Sequence, residues 1–159
     1  MLESGPEKIY SLAYRSFARP PWVGPDVLDE IAAEAAEHNA RHGITGILLV
    51  HDGMFVQILE GGAADVTSLV ARIAADRRNE RLEVLWHGHV EQRTFPDWAM
   101  GCFRLDREDP LSRYAVRILD GVGQSARWME AAYRDLATFY MVNKGLGLSP
   151  RFNQPTATA

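Results

Sequence analysis

The sequence predicts an α+β domain of order β-α-β-β-α-β-β, with two helices on one face of a sheet and further helices after it. Three features carry this prediction. Apolar and polar residues alternate with period two in several short segments, two segments between them carry apolar stripes at helical spacing, and Asp52-Gly53 closes a hairpin between two aliphatic runs.

Residues 9–16 read as the first strand, with Tyr10, Leu12 and Tyr14 on one face and Tyr14 ending on the core side. A Pro-rich bend, Arg19-Pro20-Pro21-Trp22-Val23-Gly24-Pro25, leads to Asp26 as an N-cap and to an Ala/Glu-rich helix reaching about Arg41. Its apolar stripe is Leu28, Ile31, Ala32 and Ala35. His38 and Asn39 fall close to the same face, so the stripe ends in polar groups. Gly43 stops the helix and the hairpin follows. Alternation along the second hairpin strand puts Phe55, Gln57 and Leu59 on one face. Gln57 is thus an amide among hydrocarbons, and a buried amide without partners costs roughly 1–3 kcal/mol. A neighbouring side chain, the backbone, water or a ligand must meet it, and a core glutamine satisfied by the protein itself is the commoner outcome.

A second amphipathic helix over residues 64–76 buries Val66, Leu69, Val70 and Ile73 and ends in Asp76-Arg77-Arg78-Asn79-Glu80. Such a cluster is ordinarily a solvated helix end, although Arg78 beside a groove has the chemistry to grip a phosphate. Residues 82–90 and 98–103 read as two more strands, with Trp98, Met100 and Cys102 sharing a face. The order is the ferredoxin-like arrangement plus one strand, which leaves a groove between the two helices. Beyond Asp109-Pro110 the pattern is helical only, over 111–119 and 125–142. The longer helix carries Trp128, Ala132, Leu136, Phe139 and Tyr140, a stripe that needs burial on the free sheet face or against a second copy of the chain. The expected division is a sheet-and-helix domain over 1–106, a helical extension over 107–148 and a flexible tail over 149–159.

Composition removes several functions. With 17 basic against 21 acidic residues there is no electrostatic footprint for nucleic acid or an anionic membrane, and neither partner is expected. Cys102 is the single cysteine, so there is no internal disulfide. The N-terminus lacks the charged and apolar regions of a signal peptide, no apolar run approaches the roughly 20 residues of a membrane span, and a cytoplasmic location is expected. His87 and His89 share a strand face but have no accompanying ligand pattern, so they read as solvated edge residues and no metal is expected. No nucleophile elbow or triad is visible, and Gly121-x-Gly123 follows a helix rather than a strand. The chain does not read as an enzyme.

Five separated segments nevertheless form a recognisable set: Leu12-Ala13-Tyr14-Arg15-Ser16; His38-Asn39-Ala40-Arg41-x-Gly43-Ile44-Thr45-Gly46-Ile47-Leu48; Phe55-Val56-Gln57-Ile58-Leu59-Glu60-Gly61; Ile73-x-x-Asp76-Arg77-Arg78; and Arg93-x-Phe95-x-x-Trp98-x-Met100. In consistent order over roughly residues 8 to 104, they resemble the BLUF family of blue-light sensors using flavin. The resemblance implies an FAD, or FMN or riboflavin, lying between the two helices and sandwiched by Ile31 and Ile73. Gln57 would sit between the Tyr14 hydroxyl and the flavin N5/O4 edge. Asn39 would bond the carbonyl and imide edge with His38 beside it, and Asp76 and Arg78 would lie near the ribityl and phosphate end, with Arg72 at a position where the family varies. Tyr14, Gln57, Trp98 and Met100 would be the photoactive residues; which of Trp98 and Met100 neighbours Gln57 is left open. Asn79 stands where many relatives have histidine, and Ala99 where serine is frequent, which bears on tuning and lifetime.

The function so implied is a photoreceptor that rearranges hydrogen bonds around flavin and signals through strand five and the C-terminal helices. The chain resembles the short stand-alone type, without a cyclase or phosphodiesterase domain, so its output is expected to be an unidentified downstream protein and a homo-oligomer is expected. A ferredoxin-like interaction module without cofactor is the alternative, and a redox flavoenzyme is disfavoured for want of a substrate-activating acid or base.

Overall fold

A computed structural model describes residues 8–19, 25–105, 108, 116–117, 132, 134–139 and 141–142. Its elements are β1 (Ile9–Ala18), α1 (Pro25–Arg41), β2 (Thr45–His51), β3 (Met54–Gly61), α2 (Ala63–Ala75), β4 (Asn79–Val90) and β5 (Gly101–Arg104). The strands form one sheet in the order β4-β1-β3-β2-β5, antiparallel except for the parallel β2–β5 pair. The hairpin turns at Asp52 and Gly53, whose φ values of 47° and 75° are the paired left-handed conformations a two-residue turn requires.

Two cores cover the two faces of the sheet. On the helical side Leu12, Tyr14, Leu48 and Leu59 pack against Ala32 and Ala36 of α1 and Val66 and Val70 of α2. On the other side Ala13, Ile47, Leu49, Val56 and Ile58 pack with Phe95 and Trp98, and with Leu136 and Phe139. The central strands are therefore buried on both faces, which explains the near-continuous apolar runs of β2 and β3. Residues 134–139 are helical, and Phe139 meets Phe103 of β5 edge-to-face at 4.9 Å. Trp128, Tyr140, residues 118–131 and the tail over 149–159 lie outside the described residues.

The structure corrects three expectations. Helix α1 begins at Pro25, so Asp26 lies in its first turn rather than at the cap; proline suits a first helical position because its missing N–H has no intrahelical partner there. The side chains of 25–28, Leu28 among them, lie outside the described residues. The last strand is Gly101–Arg104 only, and Trp98 does not share a face with Met100 and Cys102. Residues 91–100 are a loop, so period two does not extend back to Trp98.

That loop is clamped. The fully buried Glu60 of β3 accepts the backbone N–H groups of Thr94 and Phe95 at 2.7 and 3.0 Å, and Arg93 donates to the Gly43 and Glu60 carbonyls and to Thr45. Trp98 then lies over Gly101, where a Cβ would stand 2.5 Å from the indole. Any other residue would push the ring away.

His87 and His89 are exposed on the edge strand β4, with Tyr10 donating to or accepting from His87 at 3.0 Å. No metal-holding cluster occurs, and no helix is long and apolar enough to cross a membrane, among the described residues.

Candidate functional site

The groove between the helices is a cleft walled by α1 and α2 and floored by the sheet. Its side walls follow from helical spacing: Ile31, Glu34, Ala35 and His38 recur along one stripe of α1, and Leu69, Arg72 and Ile73 along one of α2. The floor is the sheet, through Tyr14, Ser16, Leu48, Phe55 and Gln57, and the turn after α2 adds Asp76, Arg78 and Asn79.

Tyr14 and Gln57 are direct cross-strand partners in the β1–β3 register, so their side chains meet on one face. The Tyr14 hydroxyl donates a hydrogen bond to Gln57 Oε1, and Gln57 Nε2 donates to Met100 Sδ at 3.3 Å. All three side chains are buried, Met100 completely. Burial, and secondarily the negative charge of Asp76, pushes the Tyr14 phenol above its ordinary value, so it is a protonated donor at neutral pH.

The far corner is ionic. Arg78 grips Asp76 through Nε at 3.1 Å and Nη2 at 2.7 Å, and reaches across to Glu34 of α1 at 2.9 Å. The hydrogen bonds from Arg78 hold the Asp76 carboxyl below the usual carboxylate range despite partial burial. Arg72 contacts His38 Nδ1 at 3.0 Å, and the imidazole stacks on His42 at 4.1 Å. Burial first, then His42 and the charges of Arg72 and Arg41, lowers the His38 pKa and keeps the ring neutral, with Nδ1 accepting from the guanidinium.

Residues 9–101 match the family model described as BLUF, sensors of blue-light using FAD. The chain belongs to the BLUF family. It is 36% identical over 87 residues to the photoactivated adenylate cyclase subunit beta of Euglena gracilis, a match covering 55% of this chain and 10% of that protein. The chain thus spans about a tenth of the length of the curated relatives it matches. Among solved structures, the BLUF protein BlrB in its dark state superposes with a TM-score of 0.70 at 30% identity, over 83% of this chain and 97% of that one. BlrP1 of Klebsiella pneumoniae, solved with FMN and cyclic diGMP, superposes with a TM-score of 0.60 at 25% identity, over 86% and 35% of the two chains.

This BLUF domain brings Tyr14, Ile31, His38, Gln57, Arg72, Ile73, Asp76 and Arg78 to one cleft, with Met100 behind Gln57. Two of the expected residues stand elsewhere. Trp98 is in the core of the opposite sheet face, between Phe95 and Phe103, so Met100 and not Trp98 neighbours Gln57. Asn39 is fully buried but does not line the cleft; its Nδ2 donates to the Ala99 carbonyl at 2.9 Å, and its Oδ1 has no partner. Asn39 sits one residue past the His38 stripe, and one helical step of about 100° carries it towards the loop before β5.

The residues present fit a flavin. Ile31, Leu48, Leu69 and Ile73 offer apolar faces to a flat ring, while Tyr14, Gln57, Asp76 and Arg78 offer donors and acceptors around it. Ser16 Oγ and Asn79 Oδ1 are buried without partners beside the same space. Ser16 and Glu34 also line the cleft, although neither is expected there from the sequence. Their signals were present: Ser16 follows Tyr14 by two in a strand, and Glu34 follows Ile31 by three in a helix.

Proposed function

We propose that this chain is a blue-light sensor that holds flavin in the cleft between α1 and α2 and signals by rearranging the hydrogen bonds of Gln57. The observation that carries the reading is Gln57 itself, a buried amide joined on one side to a phenol and on the other to a thioether, at the wall of a cleft that suits a flavin. Ile31 and Ile73 would hold the ring faces, Tyr14 and Gln57 its reactive edge, and Asp76 and Arg78 the ribityl and phosphate end; His38, with Arg72 bonded to it, would meet the polar edge, and Asn39 would join them by turning its unpartnered Oδ1 from the Ala99 side into the cleft.

A bound flavin supplies a strong oxidant when it absorbs blue light. Tyr14 is the phenol at hand. An electron drawn from a buried, protonated phenol by the excited ring would leave together with its proton, because the phenol radical cation otherwise left behind is too costly in that setting, and Gln57 Oε1 already accepts that proton's hydrogen bond. Gln57 is the element with two arrangements. Rotation or tautomerisation of its amide exchanges donor and acceptor, breaking the bond to Met100, and sulfur is a weak acceptor that offers little resistance.

Met100 immediately precedes β5, whose Phe103 meets Phe139 on the other sheet face. A change at Gln57 thus has a continuous packed route from the cleft through β5 to the C-terminal helix, and from there to an effector protein or a second copy of the chain. Only a modest free-energy bias is needed to shift such a population.

The test is spectroscopic. The flavin-loaded chain should undergo a small red shift of flavin absorption under blue light and recover in darkness, whereas Tyr14→Phe and Gln57→Leu should keep flavin and lose the shift. A reversible shift of wild-type size in either variant refutes the switch.

A further inference from the structure

Two polar atoms of the cleft are left unpartnered by the fold. Ser16 Oγ and Asn79 Oδ1 are sealed from solvent and make no hydrogen bond, and their residues are only 1% and 9% exposed. Both side chains line the cleft. Buried polar groups are overwhelmingly paired in folded proteins, so two such atoms on residues that line one cleft point to a ligand group.

The chemistry of that group can be read from Asn79. Its Nδ2 donates to the Ile73 carbonyl at 2.9 Å and to the Asp76 carbonyl at 3.0 Å. Turning the amide over would set its oxygen against two carbonyl oxygens, so the unpartnered atom is the oxygen, an obligate acceptor. It needs a donor from the ligand. Ser16 lies two residues beyond Tyr14 on the same face of β1, and Asn79 opens β4 opposite Ala18, so the pair flanks the cleft between the Tyr14–Gln57 wall and the Asp76–Arg78 corner. An ionised phosphate is acceptor-only and cannot satisfy Asn79 Oδ1. The ring's one N–H lies on its imide edge, which the proposed arrangement turns to His38, and the adenine amine of an FAD would lie beyond the phosphates at the Asp76–Arg78 corner. Hydroxyl groups remain, and a hydroxyl both donates to Asn79 Oδ1 and pairs with the Ser16 hydroxyl in either sense.

We infer that Ser16 and Asn79 form a hydroxyl-binding subsite that takes the polyol side chain of the flavin and distinguishes flavins that carry it from the bare ring. The inference rests on the flavin reading above. It makes Ser16 and Asn79 determinants of ligand choice, separate from the photoactive group of Tyr14, Gln57 and Met100.

The experiment titrates the flavin-free full chain with riboflavin and with lumiflavin, which has the same ring with a methyl group in place of the polyol, and follows quenching of ring fluorescence. The wild-type protein should bind riboflavin about tenfold or more tightly than lumiflavin, and Ser16→Ala and Asn79→Ala should each shrink that ratio about three- to tenfold while leaving lumiflavin affinity within about twofold. The ratio is taken within one protein, so incomplete folding of the Asn79 variant cancels. An unchanged ratio in both variants overturns the subsite. So does an equal loss of both ligands, which would mean contact with the ring. If wild-type protein binds neither compound, the flavin reading itself fails.

Discussion

The Tyr14–Gln57 bond is measurable by a double-mutant cycle. Tyr14 and Gln57 are each 3% exposed, and the phenol donates to Oε1. Tyr14→Phe leaves Oε1 buried without that donor, and Gln57→Leu leaves the hydroxyl without that acceptor. Each single change therefore costs about 1–3 kcal/mol, the penalty of an orphaned buried polar group. The double variant has neither orphan and two apolar side chains of nearly the original shape, so its cost falls below the sum by about 1–2 kcal/mol. In a domain of this size about 2–4 °C of melting temperature accompanies each kcal/mol, so the singles should melt about 2–12 °C lower and the double less far below wild type than the two together. Because burial and Asp76 keep the phenol protonated, the outcome should not depend on pH across the neutral range. The assay is denaturant unfolding of the flavin-free proteins followed by circular dichroism, since bound ligand would add its own stabilisation. Additivity within about 0.5 kcal/mol would mean that the two side chains do not interact, and the switch would lose its basis.

Four further outcomes are expected. Arg78→Ala and Asn39→Ala should each lower flavin occupancy on purification by roughly 1–3 kcal/mol of lost binding, and wild-type occupancy in both would place the cofactor outside this cleft. His38 has its pKa depressed in the folded protein, so it contributes stability above its ordinary value of 6.5 that is lost as pH falls through the lower folded value; unfolding midpoints from pH 7.5 downwards should reveal this component, and His38→Gln should remove it. Phe139→Ala should destabilise by about 3–5 kcal/mol if the edge-to-face contact with Phe103 ties the C-terminal helix to the sheet, and hydrogen exchange should differ between dark and light in β5 and residues 111–142; unchanged protection in a protein whose flavin shifts would send the signal out by another surface.

Local chemistry determined much of this protein. Asp52-Gly53 is compatible with few conformations other than a tight turn, and the alternation of β1 and β3 and the stripes of α1 and α2 dictate which side chains share a face and leave a groove between the helices; that Tyr14, Gln57, Ile31 and Ile73 meet in it was implied by the resemblance to BLUF sequences. What the sequence could not carry is what depends on residues far apart in the chain. Trp98 and Met100 are two residues apart and both suit a buried strand; the clamp of Glu60 and Arg93 on the preceding loop, and the packing of Trp98 over Gly101, turn one to each face of the sheet. Asn39 and His38 are neighbours on one helix, yet the Ala99 carbonyl, 60 residues on, meets only Asn39. The orphaned oxygens of Ser16 and Asn79 are likewise invisible in sequence. Whether a polar atom is satisfied depends on every element packed around it, and that is a property of the assembled fold rather than of any segment.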